Sequence, residues 1–582
     1  MGVDPAIFES AGQRSEHFVP GVYGRSFNVS SPSGISAGNL CILGKSNGGE
    51  PYKMLEFGGL AEAQEVLGSG ELLDAIAYAF SASNTYIPQH VFAMRVNDGT
   101  QSSVTLQSGA TDILKVKSWD WGLHCNQLRI QVANGTIANS KKISLAYKDR
   151  TERVDNIINA ALDIQYLGEG VSPTVSISTN SITLGAMTDV EEPDTPEPVD
   201  TLTVSFDDFD TLEELCTRIT QDESEAWNVT VVGDNAAMKS VNLDTVTNIA
   251  IGETGTTFYA NFAAFVNALS TMDLIGGVEL LSETTRTVPD NTDAFIYFTG
   301  GSNGSYGVPQ WTTALTALET EDVQIIATPS TDASVHSMIS SHCTTMSNVI
   351  NRKERTAILG GAIGMSDASA ITAAQDLNNK LVSFCCDNPI KVNLITGKTE
   401  TLSGAMLGVM LAAMESSMSP NMPLTFKQLN VLGFTKIRNV TNITSLIKAG
   451  IMVCNSNPEN LSEYICIRAL TTFQGNDLIN NERSMVREDL FMNRDLRAQF
   501  RPVIGSAGIS TNAAIKTLKD RAVEWALNGY IVPSDSNENV WDIKVRIDGD
   551  KVYITYSRYL TAPVNFVFIT AVNHIYTTTV EL

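Results

Sequence analysis

Positive charge is scarce: 39 lysines and arginines stand against 64 aspartates and glutamates, a formal charge of −25 over 582 residues. A surface of that sign repels phosphate backbones and argues against nucleic-acid binding. Long apolar runs are missing too, with none near the ~20 residues that span a bilayer. Residues 1–13 have neither the basic stretch nor the apolar core of a secretory signal. The chain is therefore expected to be a soluble, cytosolically made protein without membrane insertion. Cysteine is thinly spread: eight residues without paired metal-type spacing, Cys385 and Cys386 adjacent, a pattern that predicts reduced, buried thiols and no disulfides. The six histidines are scattered, and neither Gly-x-Ser-x-Gly nor His-Glu-x-x-His occurs.

Four partial motifs remain, and each reads more simply as structure. Gly44, Lys45 and Ser46 end like a phosphate-binding loop, but five residues separate Gly38 from Gly44 where that loop needs four, and those five form a strand pattern. Gly300, Gly301, Ser302, Asn303 and Gly304 could cradle an anion through backbone amides, yet no lysine follows in the motif position and a tight turn explains the glycines. Asp535, Asn537 and Asn539 have the alternate spacing of a calcium loop, but Val540 replaces the glycine and no closing glutamate follows. Cys385 and Cys386 have no adjacent base or basic cluster to make a thiolate, and His90 and His342 read as structural. The site assignment is accordingly empty: no catalytic residue, no cofactor and no metal ligand.

What the sequence does contain is a modular pattern. From 540 to 569, Trp541, Ile543, Val545 and Ile547 alternate with polar residues, Asp548 and Gly549 supply a turn, and a return strand follows from 552 to 559. After Pro563 the stretch 565–572 is apolar on both faces, as in a strand covered on both sides. Upstream, Ile515, Leu518, Ala522 and Trp525 lie at helical spacing behind an N-cap at Ser510 or Thr511, with Gly529 as the stop. This predicts one helix on a small sheet with unpaired edges. Residues 1–17 are polar, lack periodicity and read as an extended arm. Residues 60–82 show helical spacing, 91–96 a buried strand, and 104 to about 185 short alternating runs broken by turns such as Asn134 and Gly135. The run 189–200 holds three prolines and six acidic residues and predicts an exposed linker.

Several of these stretches resemble contractile tail sheath proteins of bacteriophages. Pro20, Gly21, Val22 and Tyr23 precede the strand 39–43 as at that family's N-terminus. The turn 300–304 resembles its Gly-Gly-x-Asp-Gly turn, with Asn303 in place of the aspartate. The strand 323–327, the alternation of strands and helices through 355–414, and the strand pair at 450–454 and 465–472 follow in the family's order. The resemblance covers residues 18–96 and 293–572. It implies a multidomain α/β (α+β) fold: arm 1–17, a first part of the core 18–103, a β-rich insertion 104–188, the linker 189–200, a second insertion 201–290, the α/β core 291–488, a small α/β C-terminal module 489–576 and a tail 577–582. The implied function is that of a structural, non-enzymatic subunit that forms stacked six-subunit rings around a tail tube. Contraction of the rings drives the tube through the host envelope for genome ejection. Implied partners are further copies joined by strand exchange through the terminal arms, the tube protein, and the baseplate and tail terminator proteins. The implied location is the virion, after assembly in host cytoplasm. The sheath of a bacterial injection machine and an α/β enzyme with β-rich accessory domains are the alternatives.

Overall fold

The computed structural model describes residues 38–190, 195–222, 225–252, 254–506 and 508–574, together with the backbone of 6–10 and 13–17. Two compact units emerge. One is formed by residues up to 46, by 51–98 and by those from 305 on, the other by 47–50 and 99–304.

The first unit is built on an eight-stranded sheet ordered Tyr464–Arg468, Ile451–Ser456, Val382–Cys385, Thr356–Gly360, Ile325–Ala327, Leu40–Gly44, Val91–Arg95 and Met54–Phe57. The inner six strands are parallel and both edge strands antiparallel. Parallel strands are joined by crossover helices that cover both faces, so their sequences are apolar throughout rather than alternating. Leu40 and Ile42 belong to one buried core with the helices Glu71–Phe80 and Gly404–Ser416. Cys41 and Leu43 belong to the opposite core with Val308–Leu318, Ala333–Met346 and Asp367–Leu377. The sequence pattern at 60–82 suggests one helix, whereas the chain forms two, Leu60–Leu67 and Glu71–Phe80. Gly68 and Gly70 lie between them at φ +65° and +119°, backbone conformations that end a right-handed helix. The apolar spacing survives the break because both helices pack on the same core.

The second unit has two separate cores. One lies between the sheets Ile275–Leu280/Thr111–Trp121/Gln101–Ser108 and Arg150–Ile157/Lys141–Tyr147/Arg129–Asn134/Ile296–Tyr297, with the helix Asn261–Ser270. The other lies between Trp227–Val231/Ala160–Tyr166/Thr256–Tyr259 and Pro198–Ser205/Ser181–Met187/Val171–Ile177/Val246–Ala250, with the helix Leu212–Thr220. The acidic, proline-rich run therefore does not separate two insertions. Ser181–Met187 is the antiparallel neighbour, in one sheet, of Pro198–Ser205, a strand that takes in the last three residues of the run. Charge and proline keep a segment out of a core, and a loop between adjacent strands meets that requirement as well as a domain linker does.

The chain after the large sheet folds as the helices Arg483–Phe500 and Thr511–Leu527, the hairpin Trp541–Asp548/Lys551–Ser557 and a short ribbon of Ile531–Val532 with Tyr559–Leu560. Ser510 caps the second helix by accepting from the Ala513 amide, and Gly549 turns the hairpin at φ +62°. The single expected sheet is thus two separate two-stranded ribbons. Of the arm, Ala6–Ser10 pairs with Gln13–His17; the rest of the arm, the Pro20 to Tyr23 motif and the tail from 577 lie outside the described residues.

Candidate assembly surface

The C-terminal module is held from within by charge and aromatic contacts. Trp525, fully buried, donates its indole N–H to Asp495 Oδ2 at 2.7 Å, and Arg521 pairs with the same carboxylate. Arg558 pairs with Asp489 at 2.6 Å while its guanidinium lies 5.5 Å from the Trp525 ring centre. Leu518, Ala522 and Phe491 complete the core.

Beyond Leu560 this anchoring stops. Residues 561–574 form no strand, and the apolar stretch expected to be covered on both sides is bare: Val564, Phe568 and Ile569 are 82%, 91% and 87% exposed. Three contacts tie the start of the segment down: the Thr561 amide donates to Tyr530 O at 3.1 Å, Asn565 Nδ2 donates to Glu482 Oε2 at 3.3 Å, and the Phe566 ring lies 5.7 Å from the Arg468 guanidinium. The hairpin that precedes it in the chain exposes Ile547, Val552 and Tyr553. A run of exposed apolar side chains, and a two-stranded ribbon with unpaired edges, are each features that soluble proteins rarely leave uncovered.

Beneath this surface the helix Arg483–Phe500 is locked to the large sheet. Arg483 donates to both carboxylate oxygens of Glu415 at 2.8 and 2.7 Å, to Ala357 O at 3.0 Å, to Ser383 Oγ at 3.1 Å and to Thr356 Oγ1 at 3.1 Å. Arg487 adds a contact from Nη2 to Glu415 O at 3.1 Å. Burial alone would raise the Glu415 carboxyl, but Arg483 and Arg487 overcome it and hold the group below its usual range. One turn on, Glu488 is buried, and burial pushes it up to about 9 against the opposing pull of the Thr561 amide and of the Arg558 charge. Nothing in the sequence singled out Glu415 or Arg483; a glutamate at the end of the small-residue helix 403–414 was the available signal.

The motif-like residues occupy ordinary structural positions. Lys45 pairs with Glu71 at 3.5 Å, and Ser46 is bridged by Asn97, whose side chain accepts from its amide and donates to its carbonyl. The chain then enters the strand Met54–Phe57, not the helix that a phosphate loop requires. In the glycine turn, Gly301 exchanges hydrogen bonds with the Asn126 side chain, the Gly304 amide donates to Ser302 Oγ, and Asn303 Oδ1 accepts from the Leu123 amide. The Gly301 and Gly304 amides are thus spent on internal partners. Gly301 is not at positive φ; what excludes a side chain is space, since a Cβ would sit 2.6 Å from Gly122 O. Gly301→Val is expected to destabilise the second unit by about 1–3 kcal/mol, checked by its thermal transition.

Asp535, Asn537 and Asn539 lie in an exposed connection closed by the Ser534 amide donating to Glu538 O at 2.9 Å. His90 is half-exposed beside Glu56 at 3.8 Å. His342 is buried against Arg355, 2.6 Å from Nη1, and burial together with that charge pushes it down to about 4. Cys385 and Cys386 are buried thiols, burial raising Cys385 well above its ordinary value and Cys386 to about 11. Neither is poised as a nucleophile.

No family model matches the chain. It is similar to the tail sheath protein of Bacillus phage SP01, 24% identical over 581 residues that cover 96% of this chain and 95% of the relative. It is also similar to the tail sheath protein of Staphylococcus phage Twort, 25% identical over 513 residues, 83% of this chain and 86% of the relative. Among solved structures, the sheath tail protein of Listeria innocua shares the fold at a TM-score of 0.51 and 12% identity, over 90% of this chain and 95% of that one.

Proposed function

We propose how this chain, a tail sheath protein of the contractile phage type, does its work. Copies assemble as six-subunit rings stacked helically around the tail tube. The polymer shortens to drive that tube through the host envelope, so that the protein acts as a structural part of the virion tail and not as an enzyme. The carrying observation is the bare apolar segment 561–574, which follows an open-edged hairpin in the chain, in a protein that matches tail sheath proteins along most of its length. A strand that cannot satisfy its backbone groups or bury its side chains within its own subunit can do both against a neighbour. Such links join subunits by main-chain hydrogen bonds through short tethers, so the bodies can rearrange while the links hold. Contraction then needs two packings of the same subunit differing by a few kcal/mol, repeated over many copies. The tube protein, baseplate and tail terminator are the further partners of this reading, and subunits assemble in host cytoplasm.

The test is negative-stain microscopy of the purified full-length chain. Long tubes of uniform width are expected. Only discrete, unpolymerised particles across salt and concentration would overturn the reading.

The second unit is, in this proposal, an outward-facing insertion that assembly does not require. Its excision points are adjacent: the Asp98 amide donates to Ser305 O at 3.3 Å. Joining 98 to 305 through a short glycine-serine linker is expected to leave a chain that melts cooperatively and still forms tubes, checked by calorimetry and microscopy. A folded excised chain without tubes would place the unit in the assembly contacts.

A further inference from the structure

We propose that Asp120, His124 and Cys125 form a binding site for one divalent cation of the zinc class, inside the second unit. The strand Thr111–Trp121 delivers Asp120 near its end, and the 3-10 turn Leu123–Gln127 that follows brings His124 and Cys125 back towards it. The turn matters, because adjacent residues on a strand would point to opposite faces. His124 Nε2 lies 3.0 Å from Asp120 Oδ2 and 3.4 Å from Cys125 Sγ, and the three ligand atoms all lie within 4.8 Å of one another.

The Asp120 carboxylate and the Cys125 sulfur both face one imidazole nitrogen, whose single hydrogen they can at most share. A metal ion placed among the three would serve all of them. Zinc bound tetrahedrally, with N and O at ~2.0–2.1 Å and S at ~2.3 Å, sets its N and O ligands about 3.3 Å apart and its N and S ligands about 3.6 Å apart. The two separations from His124 fall a few tenths of an ångström short of these, and the carboxylate-to-sulfur separation lies within 4.8 Å, so side-chain rotation suffices to bring the three onto one ion.

The surroundings support the same role. The other Asp120 oxygen accepts from the Gly49 amide at 2.7 Å, an outer hydrogen bond that aims Oδ2 at the imidazole. Trp119 and Tyr147 stand edge-on to the His124 ring at centroid distances of 6.0 and 6.2 Å and fix its plane. Cys125 is fully buried, while the His124 side chain is 26% exposed, which leaves one side of the site open to a water as fourth ligand. Thiolate with imidazole selects zinc over magnesium or calcium. On binding, the thiol proton, now shared with Asp120 O at 3.1 Å, leaves to solvent, and the imidazole carries its one hydrogen on Nδ1, so that the neutral ring offers the Nε2 lone pair to the ion. The ion would staple the end of the strand to the turn after it.

The test uses the full-length chain, stripped with a chelator and titrated with zinc chloride or cobalt(II) chloride. One equivalent of either metal is expected, the cobalt form showing a thiolate-to-metal charge-transfer band, and zinc raising the melting temperature. Cys125→Ser is expected to lose the band and to weaken zinc binding at least ~10-fold. His124→Ala, at a partly exposed position that tolerates truncation, is the second variant and is expected to lose the band as well. Absence of the band in the unmodified chain would overturn the proposal, and so would its survival in a folded His124→Ala or Cys125→Ser protein.

Discussion

Arg483→Met is expected to destabilise the first unit by about 3–5 kcal/mol, seen as a lower urea midpoint with Trp311 and Trp525 as reporters. The guanidinium makes five hydrogen bonds to Glu415, Ala357, Ser383 and Thr356, and it is 1% exposed. Its removal leaves Glu415 buried with Arg487 as the remaining cation and strips donors from two hydroxyls and a carbonyl in the sheet. The double variant Glu415→Leu with Arg483→Met is expected to recover much of the loss, since an apolar pair of similar volume carries no desolvation penalty. The effect has a pH signature. The Glu415 carboxyl is held below its usual range, so its stabilising contribution is full above the unfolded-state value and is lost as pH falls through the depressed one. The difference between wild type and Arg483→Met should therefore shrink on acidification below the usual carboxylate range. A constant difference across that range, or a loss below about 1 kcal/mol, would show that the clamp does not hold the helix.

The parts legible in the sequence are those where one local rule decides. The parallel strands were visible as continuous apolar runs because both faces are covered, and the helix 511–527 was visible from the Ser510 cap and the spacing of Leu518, Ala522 and Trp525. The hairpin was fixed by Gly549. What escaped depended on pairing at long range. The sheet that joins Val171–Ile177 to Val246–Ala250 crosses the acidic run, and no local signal shows that strands on either side of it are neighbours. The Glu415 to Arg483 pair is 68 residues apart in sequence. The Asp120, His124 and Cys125 cluster depends on a 3-10 turn, which the standard ligand spacings do not describe. The stretch 565–572 was read as a strand covered on both faces, and here it forms no strand and stands exposed; an apolar run shows that a segment favours burial, not what would bury it.

Phe568→Asp combined with Ile569→Asp is expected to abolish tube formation while leaving the subunit's melting transition within about 0.5 kcal/mol of wild type. The two side chains are 91% and 87% exposed, so the isolated subunit loses nothing when they become charged. In the proposed assembly each is buried against a neighbour, where full burial of such a side chain contributes about 1.5–3 kcal/mol. Losing both, with two carboxylates added to an interface, weakens each link by at least about 3 kcal/mol, which is more than 100-fold in association at 1.4 kcal/mol per factor of ten. The penalty recurs at every subunit of a polymer. Removing residues 1–17 or the tail from Thr577 is expected to give the same outcome if the terminal segments meet between subunits, with a soluble, cooperatively melting chain and no tubes. Normal tubes from the Phe568 and Ile569 double variant would sink the strand-exchange reading. Loss of the subunit's own transition would sink it differently, by placing 561–574 inside the fold that it was proposed to leave.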